Sequence, residues 1–246
     1  MGFKTLPTQQ TRFVLFDALR GIAIIMMVSF HFCFDLTYWQ LAEFDLLADP
    51  RWILWRNLIV ALFLWLVGIS LVFGQARDAA RFWPRWRQVA GSAVLISLVS
   101  WFMFGERFIY FGVLHFIAVA QCLGHWCLRR GWWRNPGWVM GLAIVLLLTG
   151  GLGFDAMNPR WLNWIGLAAR KPMTEDYVPL LPWLGMVLLG IGSGMRWQAR
   201  GRPRLDIAPS PVSNGLAWLG RHALAIYLLH QPVLMSGLAL WVQIVE

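Results

Sequence analysis

Long apolar runs recur along this chain, each close to the length a helix needs to cross the roughly 30 Å hydrocarbon core of a bilayer. They fall near residues 14–36, 53–74, 88–105, 108–128, 137–153, 178–196 and 216–240. The expected fold is therefore all-α: a polytopic membrane protein with about seven transmembrane helices, organised as a single domain over residues 1–246. Composition agrees, since 59% hydrophobic residues, 13% charged residues and 17 tryptophans in 246 positions lie far outside the range of soluble domains.

A formal charge of +9 raises the question of nucleic acid. The basic residues sit in short clusters between apolar runs, however, which is a topogenic pattern, and nucleic acid is excluded as a partner. A cytoplasmic N-terminus puts Lys4, Arg12, Arg77, Arg81, Arg85, Arg87, Arg129, Arg130, Arg134, Arg196, Arg200, Arg202 and Arg204 on one side. The opposite loops then hold Glu43, Asp45, Asp49, Glu106, Asp155, Glu175 and Asp176, with fewer and dispersed basic residues. The expectation is a multi-pass membrane protein with its C-terminus outside. The stretch after Lys4 and Arg12 is too long for a signal-peptide core and no small-residue cleavage pattern follows, so the first helix is expected to be retained. Cys33, Cys122 and Cys127 lie in or beside apolar runs and read as structural.

The longest polar connection, 154–177, contains "NPRWLNWIGLAARKP", where Trp161, Trp164, Ile165 and Ala168 recur at helical spacing. An interfacial helix is expected there, either as an aromatic anchor or as a lid over an outward-opening site.

The first run, "FDALRGIAIIMMVSFHFCFD", carries Asp17, Arg20, His31 and Asp35. At about 100° per residue all four fall within an arc of about 60°, giving the helix one polar edge. A charged group at mid-membrane costs about 2.5–3.5 kcal/mol on insertion scales, so such an edge faces protein or water and finds partners. Arg20 and His31 are separated by about 16 Å along the helix, which puts Arg20 near the cytoplasmic face and His31 in the outer half of the membrane. Asp17 and Arg20 fit either an interfacial ion pair or a ligand site. His31 and Asp35 stand one turn apart, where a carboxylate can hold an imidazole and raise its basicity.

Other polar groups share the outer depth. His115 and His230 fit either hydrogen-bonded packing or a site, and Tyr227 shares the face of His230. Pro232 in "IYLLHQP" is expected to kink the last helix beside His230. In "EDYVPLLPW", Asp176 either caps the following helix or orients an incoming hydroxyl or amine. On the inner side "ARDAARFWPRWRQ" sets Arg81 and Arg85 beside Trp86. Guanidinium groups pair with phosphates and an indole stacks on adenine, but anionic headgroups and sidedness explain such a cluster equally well.

Five stretches, "FDALRGIAIIMMVSFHF", "LFLWLVGIS", "GVLHFIAVAQ", "DYVPLLPWLGMVLLG" and "LGRHALAIYLLHQPV", together resemble small bacterial membrane proteins similar to the catalytic region of heparan-alpha-glucosaminide N-acetyltransferase, within the wider transmembrane acyltransferase group. The spacing from Arg20 to His31 also looks like the signature of acyltransferase-3 proteins. The resemblance implies an enzyme that takes an acetyl or other acyl group from cytosolic acyl-CoA and delivers it across the membrane to a sugar amine or hydroxyl. It implies catalytic roles among His31, Asp35, His115, His230 and Asp176, with His31, held by Asp35, as base. It implies acyl-CoA contacts from Arg20, Arg81, Arg85 and Trp86, a place in the inner membrane of a bacterium, and the bilayer, acyl-CoA and a glycan acceptor as partners, with a homodimer as one admissible assembly; no metal ligands are assigned. The rival classes are a transporter of an acyl or glycan molecule and a haem- or quinone-binding redox protein.

Overall fold

The computed structural model describes residues 14–75, 79–131, 135–201 and 210–245. Lys4, Arg12, Arg77, Arg134, Arg202 and Arg204, which enter the sidedness expectation, lie outside the described residues. Helix α1 (Val14–Tyr38) carries the polar edge. Helix α2 (Pro50–Ser70) begins where the Asp49 carboxylate accepts the Arg51 amide at 2.8 Å, with Pro50 in the first turn, where its missing N–H has no partner to lose. It runs into a wider turn over Leu71–Gln75. Helix α3 (Ala79–Phe104) and helix α4 (Val113–Arg130) follow, α4 ending on Gly131 at φ 69°. Helix α5 (Pro136–Leu148) starts at Asn135, whose side chain accepts from the amides of Gly137 and Trp138. A short helix α6 (Arg160–Asn163) precedes α7 (Leu180–Ala199), α8 (Pro211–Arg221) and α9 (Ala223–Val245). Among the described residues no strand forms, and the pairings of Phe111 with Tyr177 and Phe154 with Ala168 are isolated bridges.

Each apolar run falls largely in helix, but among the described residues four helices are long and apolar enough to cross a membrane: Val14–Tyr38, Pro50–Gly74, Ala79–Arg107 and Ala223–Ile244. The runs in α4, α5 and α7 form helices outside that set, and α5 has only 13 residues. The last run divides. Helix α8 stops at His222, whose φ of −101° and ψ of 15° leave the helical region, and α9 starts at the next residue. Helix α9 then continues through Pro232 to Val245.

The expected interfacial helix in 154–177 is reduced to the four residues of α6. Pro159 precedes that helix, and Gly166, at φ 101°, turns the chain away after it. The loop is held by side chains instead. Buried Asn163 accepts the Tyr110 hydroxyl on its Oδ1 at 2.9 Å, and its carbonyl accepts the Tyr177 hydroxyl at 2.6 Å. Burial pushes the Tyr177 phenol up to about 12, so both hydroxyls remain donors at neutral pH.

Three apolar clusters organise the helices among the described residues, the smallest joining Phe16 of α1 to Leu66 and Ile69 of α2. A second joins α2, α4, α5 and α7 through Leu64, Phe116, Val139, Val187 and Ile191. The third joins α1 to α2 through Ile24, Met27, Phe30 and Ile59, with Ile226 and Tyr227 of α9 packed against it. Helix α8 lies so close to α1 that a Cβ on Gly21 would strike the Leu216 carbonyl and one on Gly220 the Asp17 carbonyl. Small residues permit such approach where lipid supplies little drive for helix association.

Candidate functional site

The polar edge of α1 has two ends in different circumstances. At its N-terminal end, the inner end in the expected orientation, Asp17 is 7% exposed. Arg20 donates Nη1 to Asp17 Oδ1 at 3.0 Å and Nη2 to Ser70 Oγ at 2.9 Å. The Ser70 hydroxyl donates in turn to the Leu66 carbonyl at 2.7 Å. This chain of bonds ties α1 to the end of α2. Ser70 also lines a small cavity of about 30 Å³ with Val67, Leu71, Phe82, Trp86 and Gln121, room for about one water. Trp86 closes it by donating its indole N–H to the Ala118 carbonyl at 2.9 Å. Arg81 and Arg85 are exposed on the first turns of α3.

At its C-terminal end, the outer end in the expected orientation, Asp35 is fully buried. Its Oδ1 accepts the Gln231 side-chain amide at 2.5 Å. Asp35 therefore does not hold His31, the partner that one-turn spacing suggested: it reaches across to α9. The His31 ring meets the His230 ring, with centroids 4.8 Å apart and planes at 64°. His230 Nδ1 lies 2.7 Å from the Tyr227 carbonyl. A carbonyl oxygen only accepts, so Nδ1 carries the proton and Nε2 presents a lone pair. That Nε2 is buried and has no hydrogen-bond partner among the described residues, and the same holds for Asp35 Oδ2, Gln231 Oε1 and Trp39 Nε1. Buried polar atoms are nearly always satisfied, so an orphaned group needs an explanation from function or solvent.

Asp176 caps a helix, but a different one from the helix that follows it in sequence. Its Oδ2 accepts the Val113 amide at 2.9 Å, at the first turn of α4. The Tyr227 hydroxyl also donates to the Asp176 carboxylate. Burial raises the Asp176 pKa above its ordinary 3.8, opposed by those hydrogen bonds and one from the Tyr177 backbone. Tyr227 thus links Asp176 to His230, whose ring is 5.8 Å from its own. His115 has other partners. Its Nδ1 accepts the Gly112 amide at 3.3 Å and its Nε2 meets Ser97 Oγ at 2.9 Å. The Ser97 hydroxyl donates to the Ile109 carbonyl at 2.7 Å, so it accepts from Nε2–H, and both ring nitrogens of His115 are engaged.

A sequence model of the family described as heparan-alpha-glucosaminide N-acetyltransferase, catalytic, matches residues 12–232. The chain belongs to that family. Membership supports an acetyltransferase-type enzyme, and the four apolar helices of spanning length support its placement in a membrane. No match was found among curated proteins or among solved structures.

Within this heparan-alpha-glucosaminide N-acetyltransferase-like chain, the fold brings His31, Asp35 and His230 together and connects Asp176 to them through Tyr227, while His115 joins the cap of α4. Sequence reasoning missed Gln231 and Trp39. Gln231 had a readable signal, as an amide in an apolar run beside His230. Trp39 did not stand apart from the other tryptophans.

Proposed function

We propose that the protein is a membrane-embedded acyltransferase that moves an acetyl or longer acyl group from acyl-CoA to a sugar amine or hydroxyl at the outer end of α1. The observation that carries this reading is the fixed tautomer of His230, which leaves a buried Nε2 lone pair with no partner among the described residues, on a ring in contact with that of His31.

The chemistry follows from that atom. Nε2 takes the proton from the acceptor nitrogen or oxygen as it attacks the thioester carbonyl, and the resulting imidazolium returns a proton to the departing thiolate. His31 makes no hydrogen bond among the described residues, so its N–H can stabilise the developing oxyanion, the task of a preorganised donor. Asp35 and Gln231 fix the spacing of α1 and α9, and Asp176 with Tyr227 fixes α9 against α4.

The donor approaches from the arginine-rich side, where Arg81 and Arg85 meet CoA phosphates. Arg20 acts through Ser70, holding the junction of α1 and α2 beneath them. In this arrangement the N-terminus and the donor are cytoplasmic, the acceptor is periplasmic, and the membrane is the inner membrane of a bacterium. The test is release of free CoA thiol from acetyl-CoA by the purified protein, across a panel of amino sugars and glycans. Acceptor-dependent thiol release with acetyl recovered on the acceptor supports the reading; thiol release with no acceptor among the panel, or none at all, opposes it.

A further inference from the structure

We infer that the protein carries a specific site for an anionic phospholipid headgroup, in the open cleft of about 400 Å³ lined by Trp83, His125, Trp126, Arg129 and Arg130. The cleft lies between the first turns of α3 and the last turn of α4, which run antiparallel and are joined by the Trp86 bond to Ala118 and by the stacking of Phe82 on His125, with ring centroids 3.9 Å apart. The buried His125 ring thus supplies a fixed floor.

Among the described residues the cations of the cleft have no anion of their own: neither Arg129 nor Arg130 is in an ion pair, and no carboxylate of those residues lines the cleft. Arg130 instead lays its guanidinium over the Trp126 ring at 5.8 Å, an arrangement that orients its donors without consuming them. Two neighbouring guanidinium groups offer paired N–H donors to the oxygens of a phosphodiester.

The surroundings select a lipid over a soluble phosphate. Trp83 and Trp126 are about half exposed, as suits indoles at the level of headgroup and glycerol. From Trp83 the exposed residues Val94 and Leu98 fall within an arc of about 60° on α3, giving an apolar track that leads away from the cleft, with exposed Arg87 on the same face. On α4, exposed Leu123 stands one turn from Trp126 on the same side. A headgroup seated on Arg129 and Arg130 would lay its acyl chains along that track.

The experiment is native mass spectrometry of the full-length protein, in detergent, with phosphatidylglycerol or phosphatidylcholine added, for the wild type, Arg129→Gln/Arg130→Gln and the exposed control Arg170→Gln. The expected result is retention of phosphatidylglycerol over phosphatidylcholine in the wild type and the control. The double variant should lose about tenfold or more in apparent affinity, at roughly 1 kcal/mol per basic residue near an anionic surface. Equal retention of the two lipids, or undiminished phosphatidylglycerol binding by a folded double variant, would overturn the site. Displacement of the lipid by CoA or ADP at equimolar amounts would overturn it too, showing a nucleotide site instead. Folding of the variant is read from its melting temperature, and Trp126→Leu gives a second reading, because it removes the surface on which Arg130 lies; the same loss of preference is expected and its absence counts against the site.

Discussion

The two ends of the α1 polar edge contain the same kinds of residue, an acid and a base one turn apart, and the fold treats them oppositely. At the inner end Asp17, Arg20 and Ser70 are bonded to one another and to the Leu66 carbonyl. At the outer end Asp35 turns from its helical neighbour to Gln231, and His230 Nε2, Asp35 Oδ2, Gln231 Oε1 and Trp39 Nε1 are left buried and unmet. The inner end is a joint between helices. The outer end keeps unused hydrogen-bonding capacity among the described residues, which is where the proposed chemistry is assigned.

The largest expected effect breaks the comparison at its outer end. His230→Ala should lower the rate of acyl transfer by about 10²–10⁴, the range for a lost general base, with membrane insertion intact; steady-state thiol release measures it. His31→Ala should lower the maximal rate by about 10²-fold, the low end for a lost oxyanion donor, with little change in apparent affinity for acyl-CoA. At the inner end the damage should fall on stability. Gly220→Val places a branched side chain against the Asp17 carbonyl and should cost about 1–3 kcal/mol, read as a lowered melting temperature in detergent. Arg20→Ala removes a charged hydrogen-bond donor from Asp17 and Ser70, at about 1.5–3 kcal/mol before allowance for the quarter of its side chain that is exposed. Acyl-CoA affinity should change less than stability in that variant; the reverse pattern would make Arg20 a ligand contact and erase the contrast between the two ends.

The smallest effect is electrostatic. Burial raises the Asp176 pKa, so the folded state holds this proton more tightly than the unfolded chain does. Its contribution is greatest below the ordinary value of 3.8 and declines as pH rises through the raised value. Asp176→Asn removes that decline, and its melting temperature should gain on the wild type as pH increases across this window.

The apolar runs and the polar edge were legible because both are periodic properties of a single helix. Pairings across the fold were not. Nothing local to Asp35 points to Gln231, 196 positions away, and one-turn spacing offered His31 instead. Asp176 was recognisable as a capping residue, but the amide it accepts belongs to α4, 63 positions earlier. The break at His222 has no proline to announce it, and a continuous apolar pattern hid the change from α8 to α9. In 154–177 the helical spacing of tryptophans was real, but Pro159 and Gly166 limit the helix to one turn, and the bonds to Asn163 replace it.

Chemical rescue tests the central assignment most directly: thiol release from acetyl-CoA by His230→Gly, measured with and without added imidazole. The account predicts a variant nearly inactive alone that regains acceptor-dependent turnover in proportion to the concentration of neutral imidazole. Wild-type turnover by His230→Gly without imidazole would contradict it.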